Sequence, residues 1–164
     1  MGIGNAWSLV SLLEPLSNSR TIVSIRDSSF GMPAVQSLHL VGLTVLLAVM
    51  LVLNLRLAGL SLTHWSLPSI ERQLRAWALG AIALVIASGT LMFLGNPTKY
   101  LASAPFLFKM TALGLAVICQ FGVLRRFFTS EPGVRRRAIN VAVAGLLLTL
   151  WFSVGWAGRA IAFV

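Results

Sequence analysis

Four long apolar stretches constrain this chain more than any other feature of its sequence. The first contains the run PAVQSLHLVGLTVLLAVMLVLNLRLAGL, which begins at residue 33. A helix needs about 20 mainly apolar residues to cross a hydrocarbon core, and we place such spans at about 36–58, 76–95, 105–124 and 138–162. The sequence therefore predicts an all-α fold, an integral membrane four-helix bundle that forms one membrane domain over residues 1–164.

The composition excludes an ordinary water-soluble domain. Hydrophobic residues make up 57% of the chain and charged residues only 10%, which is too few to cover a soluble surface. The net charge of +9 is a common footprint of nucleic-acid binding. Most arginines flank the apolar spans, however, where they act as topology signals and as contacts for anionic lipid. We therefore expect a lipid bilayer as partner and no nucleic acid.

Residues 1–32 form a separate N-terminal segment. It lacks a basic n-region, and Glu14 and Pro15 interrupt its apolar run, so it does not resemble a signal peptide. It contains instead two short amphipathic pieces, WSLVSLLEPL and SRTIVSIRDS. Amphipathic helices of this kind lie in the membrane interface, and we expect a short interfacial helical segment here.

Basic residues are distributed unequally between the two sides of the predicted bundle. One side carries eight arginines: Arg56, Arg72, Arg75, Arg125, Arg126, Arg135, Arg136 and Arg137. The other side carries four basic residues: Arg20, Arg26, Lys99 and Arg159. The positive-inside rule then makes the first side cytoplasmic, and both termini face outward.

Three ionisable residues lie inside the spans, near their predicted outer ends. His39 follows the start of the first span by a little over one turn, Lys109 follows Pro105 by about one turn, and Arg159 lies in the last turns of the fourth span. Because neighbouring spans run antiparallel, all three converge on the outward-facing half of the bundle. An ionisable residue inside a membrane is a functional hypothesis by default.

Helix periodicity predicts which residues share a face with these groups. Lys109 shares its face with a small, weakly polar stripe: Ala112, Ala116, Cys119 and Gln120. His39 shares its face with Gly42, Leu46 and Met50. We expect both faces to point into the bundle.

Small residues of the second span predict a close approach of two helices. Gly80, Ala83 and Ala87 form a stripe that suits such an approach. Gly89 and Met92 form an adjacent line that reaches the outer half, where glycine can leave room for a flat ligand.

Each ionisable residue also has a purely structural interpretation. A lysine near a membrane surface can extend its ammonium into the headgroups, a histidine can hydrogen-bond a neighbouring helix, and a terminal arginine can anchor the interface. The three ionisable residues lie at one depth of the predicted bundle, and this clustering favours a functional interpretation over the structural ones. His64 lies in the loop SLTHWSLPS, on the order of 30 Å from His39 across the bilayer, so the two histidines cannot ligate one haem.

Several segments resemble known haem-b membrane proteins. LHLVGLTVLLAVMLVLNLRL, SGTLMFLGNPTKYL and FLFKM distantly resemble the pattern of the HemJ-type protoporphyrinogen oxidase, a small four-helix haem-b membrane protein, and of CopD-like haem-b membrane proteins. The whole chain resembles more closely an uncharacterised bacterial four-span family. The segments that carry this second resemblance are LEPLSNSRTIVSIRDSS, LHLVGLTVLLAVMLVLNLRLAG and GRAIAF.

The resemblance implies a haem b site in a bacterial inner membrane. His39 would be the family's functional histidine, with its imidazole as an axial ligand of the iron. Lys109 or Met92 could complete the other face, Gly89 would leave room, and Arg159 with Lys99 could pair with propionates. The further histidines usual in that family are absent, so haem binding is expected more than porphyrinogen oxidation.

Two classes of function follow from these observations. The first is a haem-b membrane protein with a redox or electron-transfer role, either a cytochrome or an enzyme that acts on a quinone or a porphyrin. The second is a cofactor-free structural or accessory subunit of a larger membrane complex. A transporter is disfavoured by the small size and the lack of an obvious paired repeat. A homodimer also fits the abundant small-residue surface.

Overall fold

The computed structural model describes residues 13–127 and 134–160, except for the side chains of residues 121, 123–127, 134–136 and 159–160. Within these residues, six helices with defined bounds follow one another, and no strand occurs. They are α1 (Arg20–Asp27), α2 (Gly31–Leu57), α3 (Leu67–Gly95), α4 (Pro97–Ala102), α5 (Ala104–Phe127) and α6 (Val134–Ala160). The all-α membrane bundle predicted from the sequence is confirmed.

In the part of the chain that the structure describes, three helices are long and apolar enough to cross a membrane: α2, α3 and the part of α6 over Arg137–Gly158. The third predicted span is a shorter apolar stretch, Ala104–Gln120, within α5. Both α2 and α3 begin earlier than predicted, because hydropathy marks the apolar part of a helix and not its end. The start of α3 is set by its N-cap Ser66, whose hydroxyl accepts a hydrogen bond from the Ser69 amide.

The central helix of the bundle is α2. It packs against α3 on one side and α6 on the other, while α5 packs against α6. The backbones of α2 and α5 are not among the closely packed pairs of the described residues. The main apolar core lies along α2 and includes Leu46, Val49, Met50 and Leu53, with Ala116 and Trp151 opposite. The predicted inward face of His39 is thereby confirmed, since Gly42, Leu46 and Met50 are all buried.

The predicted packing face of α3 is wrong. Gly80, Ala83 and Ala87 are all exposed, and the buried small residues are Ala81, Ser88 and Gly95. The close approach of α2 and α3 comes from Gly42 instead, where an added Cβ would lie 2.9 Å from Val85 Cγ2. A membrane helix that is apolar on all sides carries little pattern to separate its protein face from its lipid face.

A buried polar cluster joins α2, α5 and α6 in the half of the bundle away from His39. Asn54 Nδ2 donates to Gln120 Oε1 at 3.1 Å and to the Met50 carbonyl at 2.8 Å. Trp151 Nε1 donates to the same Gln120 oxygen at 3.2 Å. These partners determine which terminal atom of the Asn54 and Gln120 side chains is oxygen and which is nitrogen, because an indole N–H only donates and a carbonyl only accepts. We call these three side chains the amide cluster: Asn54, Gln120 and Trp151.

The N-terminal segment is helical where the structure describes it. One helical turn over residues 13–17 precedes α1, and α1 packs against both α2 and α3 with Ile22 buried. Its chain then turns sharply into α2, where Gly31 lies against the Ile25 carbonyl and leaves no room for a Cβ. Residues 1–12 of the predicted segment lie outside the described residues, and its interfacial position stays a prediction.

We expect Gly42→Ala to destabilise the bundle, because its methyl group would meet Val85 from both the side chain and the backbone nitrogen at 3.3 Å. Overpacking of this kind costs about 1–3 kcal/mol. The measurement is the free energy of unfolding in detergent. Gly114→Ala in α5 is the matched control, since its Cβ meets nothing within 4 Å, and it should leave stability unchanged or raise it by up to about 1 kcal/mol. Equal effects of the two changes would contradict the close contact at Gly42.

Candidate functional site

His39 of α2 and Lys109 of α5 meet inside the bundle. Lys109 Nζ lies 3.5 Å from His39 Nε2, although the two residues are 70 positions apart in the chain. His39 is buried, with 9% of its surface exposed. The stripe that continues from Lys109 also points inward, since Ala112, Ala116 and Gln120 are buried. The structure thus brings together two of the predicted site residues.

Ser88 of α3 holds the other side of the imidazole. Its Oγ lies 2.9 Å from His39 Nδ1 and 2.5 Å from the Leu84 carbonyl oxygen. A hydroxyl has a single proton, and the carbonyl can only accept it. His39 Nδ1 therefore carries a proton and donates to Ser88, which leaves the lone pair on Nε2 directed at Lys109. Sequence reasoning gave Ser88 no role, although Ser88 is the first residue of the segment SGTLMFLGNPTKYL that carries the HemJ-type resemblance.

Two glycines from flanking helices close the site. A Cβ at Gly89 of α3 would lie 3.2 Å from His39 Cε1, and one at Gly158 of α6 would lie 3.3 Å from Lys109 Nζ. Gly89 was predicted to lie opposite the histidine, and the structure places it there. The space that it leaves is filled by the imidazole ring, and the space that Gly158 leaves is filled by the lysine.

The other predicted site residues are placed less directly. Met92 is half-buried and lies one turn after Gly89 on α3, toward the same end of the bundle. Arg159 lies in the last turn of α6, next to Gly158, and its side chain is among those that are not described. His64 is exposed in the connection between α2 and α3, as predicted.

An aromatic cluster lies next to the site, on the side of the nearer bundle end. The ring centroids of Phe93, Tyr100 and Phe106 are 5.4 to 6.3 Å apart. Phe93 follows Gly89 by one turn of α3, and Phe106 precedes Lys109 by one turn of α5. The short helix α4, whose first amides are capped by Asn96, carries Tyr100 into this cluster. These rings separate the buried His39–Lys109 pair from the nearer end of the bundle.

The polar atoms of the site form a directed chain of hydrogen bonds. It runs from Lys109 to His39, from His39 to Ser88, and from Ser88 to the Leu84 carbonyl. A backbone carbonyl cannot pass a proton onward, so the chain ends there. Apolar core residues, including Leu46 and Met50, lie between this chain and the amide cluster. The arrangement can bind or exchange a proton at Lys109 and His39, and no described polar group continues the chain across the bundle.

Two clefts of the structure lie beside the site and not within it. These apolar clefts of about 260 and 250 Å³ lie between α2 and α3, and neither is lined by His39 or Lys109. Among the described residues, His, Cys, Asp and Glu side chains do not gather in groups of three that could hold a metal ion. A metal ion bound to His39 would therefore need a ligand of another residue type. The Lys109 amine, 3.5 Å from His39 Nε2, is such a group.

Comparison with known proteins gives a family and nothing beyond it. The model of a family described as "Family of unknown function (DUF6644)" matches residues 20–164. No curated protein and no solved structure matches the chain. The expected resemblance to an uncharacterised family is confirmed, whereas the likeness to the HemJ-type oxidase stays a prediction.

We predict that Tyr100 in the aromatic cluster loses its phenolic proton at a higher pH in the folded protein than in the unfolded chain. Partial burial raises the pKa of the Tyr100 phenol above its ordinary value. A group whose pKa is raised by folding contributes stability below its unfolded pKa, and this contribution is lost as the pH rises through the folded pKa. Tyr100 is the only tyrosine of the chain, so tyrosinate absorbance reports it alone. We expect the midpoint of this pH titration to be higher in the folded protein than in the unfolded chain. Equal midpoints in the two states would place Tyr100 in open solvent.

Proposed function

We propose that this chain, which belongs to the DUF6644 family of unknown function, is an integral membrane protein that binds haem b. Its role would be redox or electron transfer, with the site in the outward-facing half of the bundle. The observation that carries the proposal is the imidazole of His39, which is buried, held through Nδ1 and directed with its Nε2 lone pair at a second nitrogen donor.

The anchoring of the imidazole is typical of a metal ligand. A ligating histidine usually donates its other ring N–H to a fixed acceptor, which sets the tautomer and the ring orientation. Ser88 provides that acceptor, and its own position is fixed by the Leu84 carbonyl. A histidine that served only to join two helices would need one hydrogen bond, whereas His39 has contacts on both nitrogens.

The donor atoms of His39 and Lys109 are of types that can bind a haem iron. An imidazole is a common haem ligand, and the Lys109 amine would be the second ligand. His39 Nε2 and Lys109 Nζ lie 3.5 Å apart, which is contact distance and leaves no space for a macrocycle between the two side chains. Gly89 and Gly158 pack directly on the two side chains, so a macrocycle between them requires α3 and α6 to move outward.

The bound haem would supply one-electron redox chemistry. His39 would bind the iron, with Lys109 or Met92 as the second ligand. Arg159 and the exposed Lys99 are the cations proposed for the propionates. Quinones and porphyrins are the proposed reaction partners, and a bacterial inner membrane with both termini periplasmic is the proposed location. Whether the chain is an electron carrier or an enzyme stays open.

A cofactor-free structural or accessory subunit is the second candidate function. One observation favours it: only 17% of the apolar window of α3 and 22% of that of α6 are buried within the chain. Lipid or a partner subunit must cover the remaining apolar surface. In this case the His39–Ser88–Lys109 chain would serve as a contact between helices.

The decisive measurement is the oxidised-minus-reduced visible spectrum of protein expressed with ample haem and purified in detergent. We expect a Soret band in the wild type and in His64→Ala, since His64 is exposed in a loop. His39→Gln should lose the haem, because the amide can replace the hydrogen bonds of the imidazole but not its ligating lone pair. Helical circular dichroism should stay unchanged in both variants.

Two outcomes would overturn the proposal. A featureless wild-type spectrum would favour the accessory subunit, and full haem occupancy in His39→Gln would remove His39 from the iron.

Ser88 provides a separate test of the anchored imidazole. We expect Ser88→Ala to weaken haem binding by about 10- to 100-fold, the usual effect of losing a partner of a metal-ligating histidine, and Ser88→Thr to restore it. Haem titration of the apoprotein measures this. Ser37→Ala is the matched control, because Ser37 also donates to the carbonyl four residues earlier but is exposed. Similar losses in both variants would argue against a specific role of Ser88.

A further inference from the structure

An apolar groove follows the contact between α2 and α3 on the outside of the bundle. It consists of the two clefts of about 260 and 250 Å³, which share Val45 and Trp77 in their linings. Small side chains form much of its wall, among them Gly42, Ala48 and Gly80. We call this feature the α2–α3 groove.

The length of the groove matches one leaflet of a bilayer. On α2 its lining runs from Gly42 to Val52, which is a rise of about 15 Å. On α3 it runs over the same length from Leu74 to Leu84. The hydrocarbon core of a bilayer is about 30 Å thick, so half of it corresponds to this groove. One extended acyl chain fits that depth.

A cation lies at the end of the groove. Val45, Val49 and Val52 line it at helical spacing, and the next position on the same face of α2 is Arg56, about 6 Å further along the axis. Arg56 is half-buried, and its Nε donates to the Trp65 carbonyl at 2.7 Å. This bond holds the guanidinium at the helix end and leaves both Nη groups to donate. A guanidinium binds phosphate through two parallel hydrogen bonds.

We propose that the α2–α3 groove is a binding site for an anionic phospholipid. One acyl chain lies in the groove, and the phosphate accepts hydrogen bonds from Arg56. The phosphate end of the site lies far from the His39–Lys109 pair, because the 17 residues from His39 to Arg56 correspond to about 25 Å of helix, although the other end of the groove at Gly42 lies within one turn of His39. The proposal does not rest on haem binding.

Charge favours a lipid over a second copy of the chain. Arg72 and Arg75 are exposed at the same end of α3 as the mouth of the groove, with only Glu71 to offset them. A second copy seated on this face would bring the same excess of positive charge. An anionic headgroup brings the opposite charge, and each basic residue near an anionic membrane surface contributes about 1 kcal/mol.

Native mass spectrometry of the full chain tests the headgroup part. The protein is released from detergent that contains equal amounts of phosphatidylglycerol and phosphatidylcholine. We expect the wild type to retain one phosphatidylglycerol in preference to phosphatidylcholine. Arg56→Gln should reduce this preference at least fivefold, whereas Arg72→Gln should reduce it less, because Arg72 adds only the general attraction of a basic residue for an anionic headgroup and is not part of the groove lining.

Arg56→Lys separates charge from loop structure. Lysine keeps the positive charge and loses the Nε bond to the Trp65 carbonyl. Retained preference in Arg56→Lys supports a phosphate contact. A loss equal to that of Arg56→Gln, or the same loss in Arg72→Gln, would overturn the role of Arg56.

The acyl-chain part needs a second pair of variants. Ala48 is exposed in the groove, and Ala48→Phe fills the space without disturbing the core. Ala83→Phe is the control, since Ala83 is exposed on α3 outside the groove. We expect only Ala48→Phe to abolish retention of the lipid. Unchanged retention in Ala48→Phe, or a dimer mass that this change removes, would overturn the proposal, the dimer mass in favour of a second copy.

Discussion

Inside a hydrocarbon core, a polar group finds its hydrogen-bond partner within the protein or goes without one. This constraint organises the bundle at two levels. The backbones of α2 and α5 do not pack closely, but His39 meets Lys109 at one level and Asn54 meets Gln120 at the other. These side-chain bonds hold α5 against the central helix, while small residues such as Gly42 bring α3 close to the same helix.

The sequence predicted the spans, and antiparallel topology was enough to place His39 and Lys109 at one level. It did not predict the face that α3 turns toward α2. Gly80 and Ala81 are neighbours of similar hydropathy, yet one is exposed and the other buried. Only contact with another helix distinguishes them. Ser88 and the aromatic cluster escaped prediction for the same reason, because their roles depend on side chains from helices distant in sequence.

The two polar levels differ in the chemistry that they allow. The amide cluster contains no group that changes charge at ordinary pH, so it can join helices but cannot move protons. The His39–Lys109 level contains two ionisable groups in contact. An apolar layer that includes Met50 and Ala116 lies between the levels. Exchange of protons or electrons at His39 would therefore take place with one side of the membrane.

Energetics separate the two levels further. A hydrogen bond between membrane helices stabilises a bundle by about 0.6 kcal/mol on average, whereas a lysine costs about 2.5–3.5 kcal/mol at the centre of a span and less toward its ends. The amide cluster is consistent with a contribution to stability alone, because its groups are neutral. At the centre of a span, Lys109 would cost more than its contact with His39 returns, and its place in the second turn of α5 lowers that cost. The proposed ligation of haem iron would give a reason, beyond stability, for a lysine at this level.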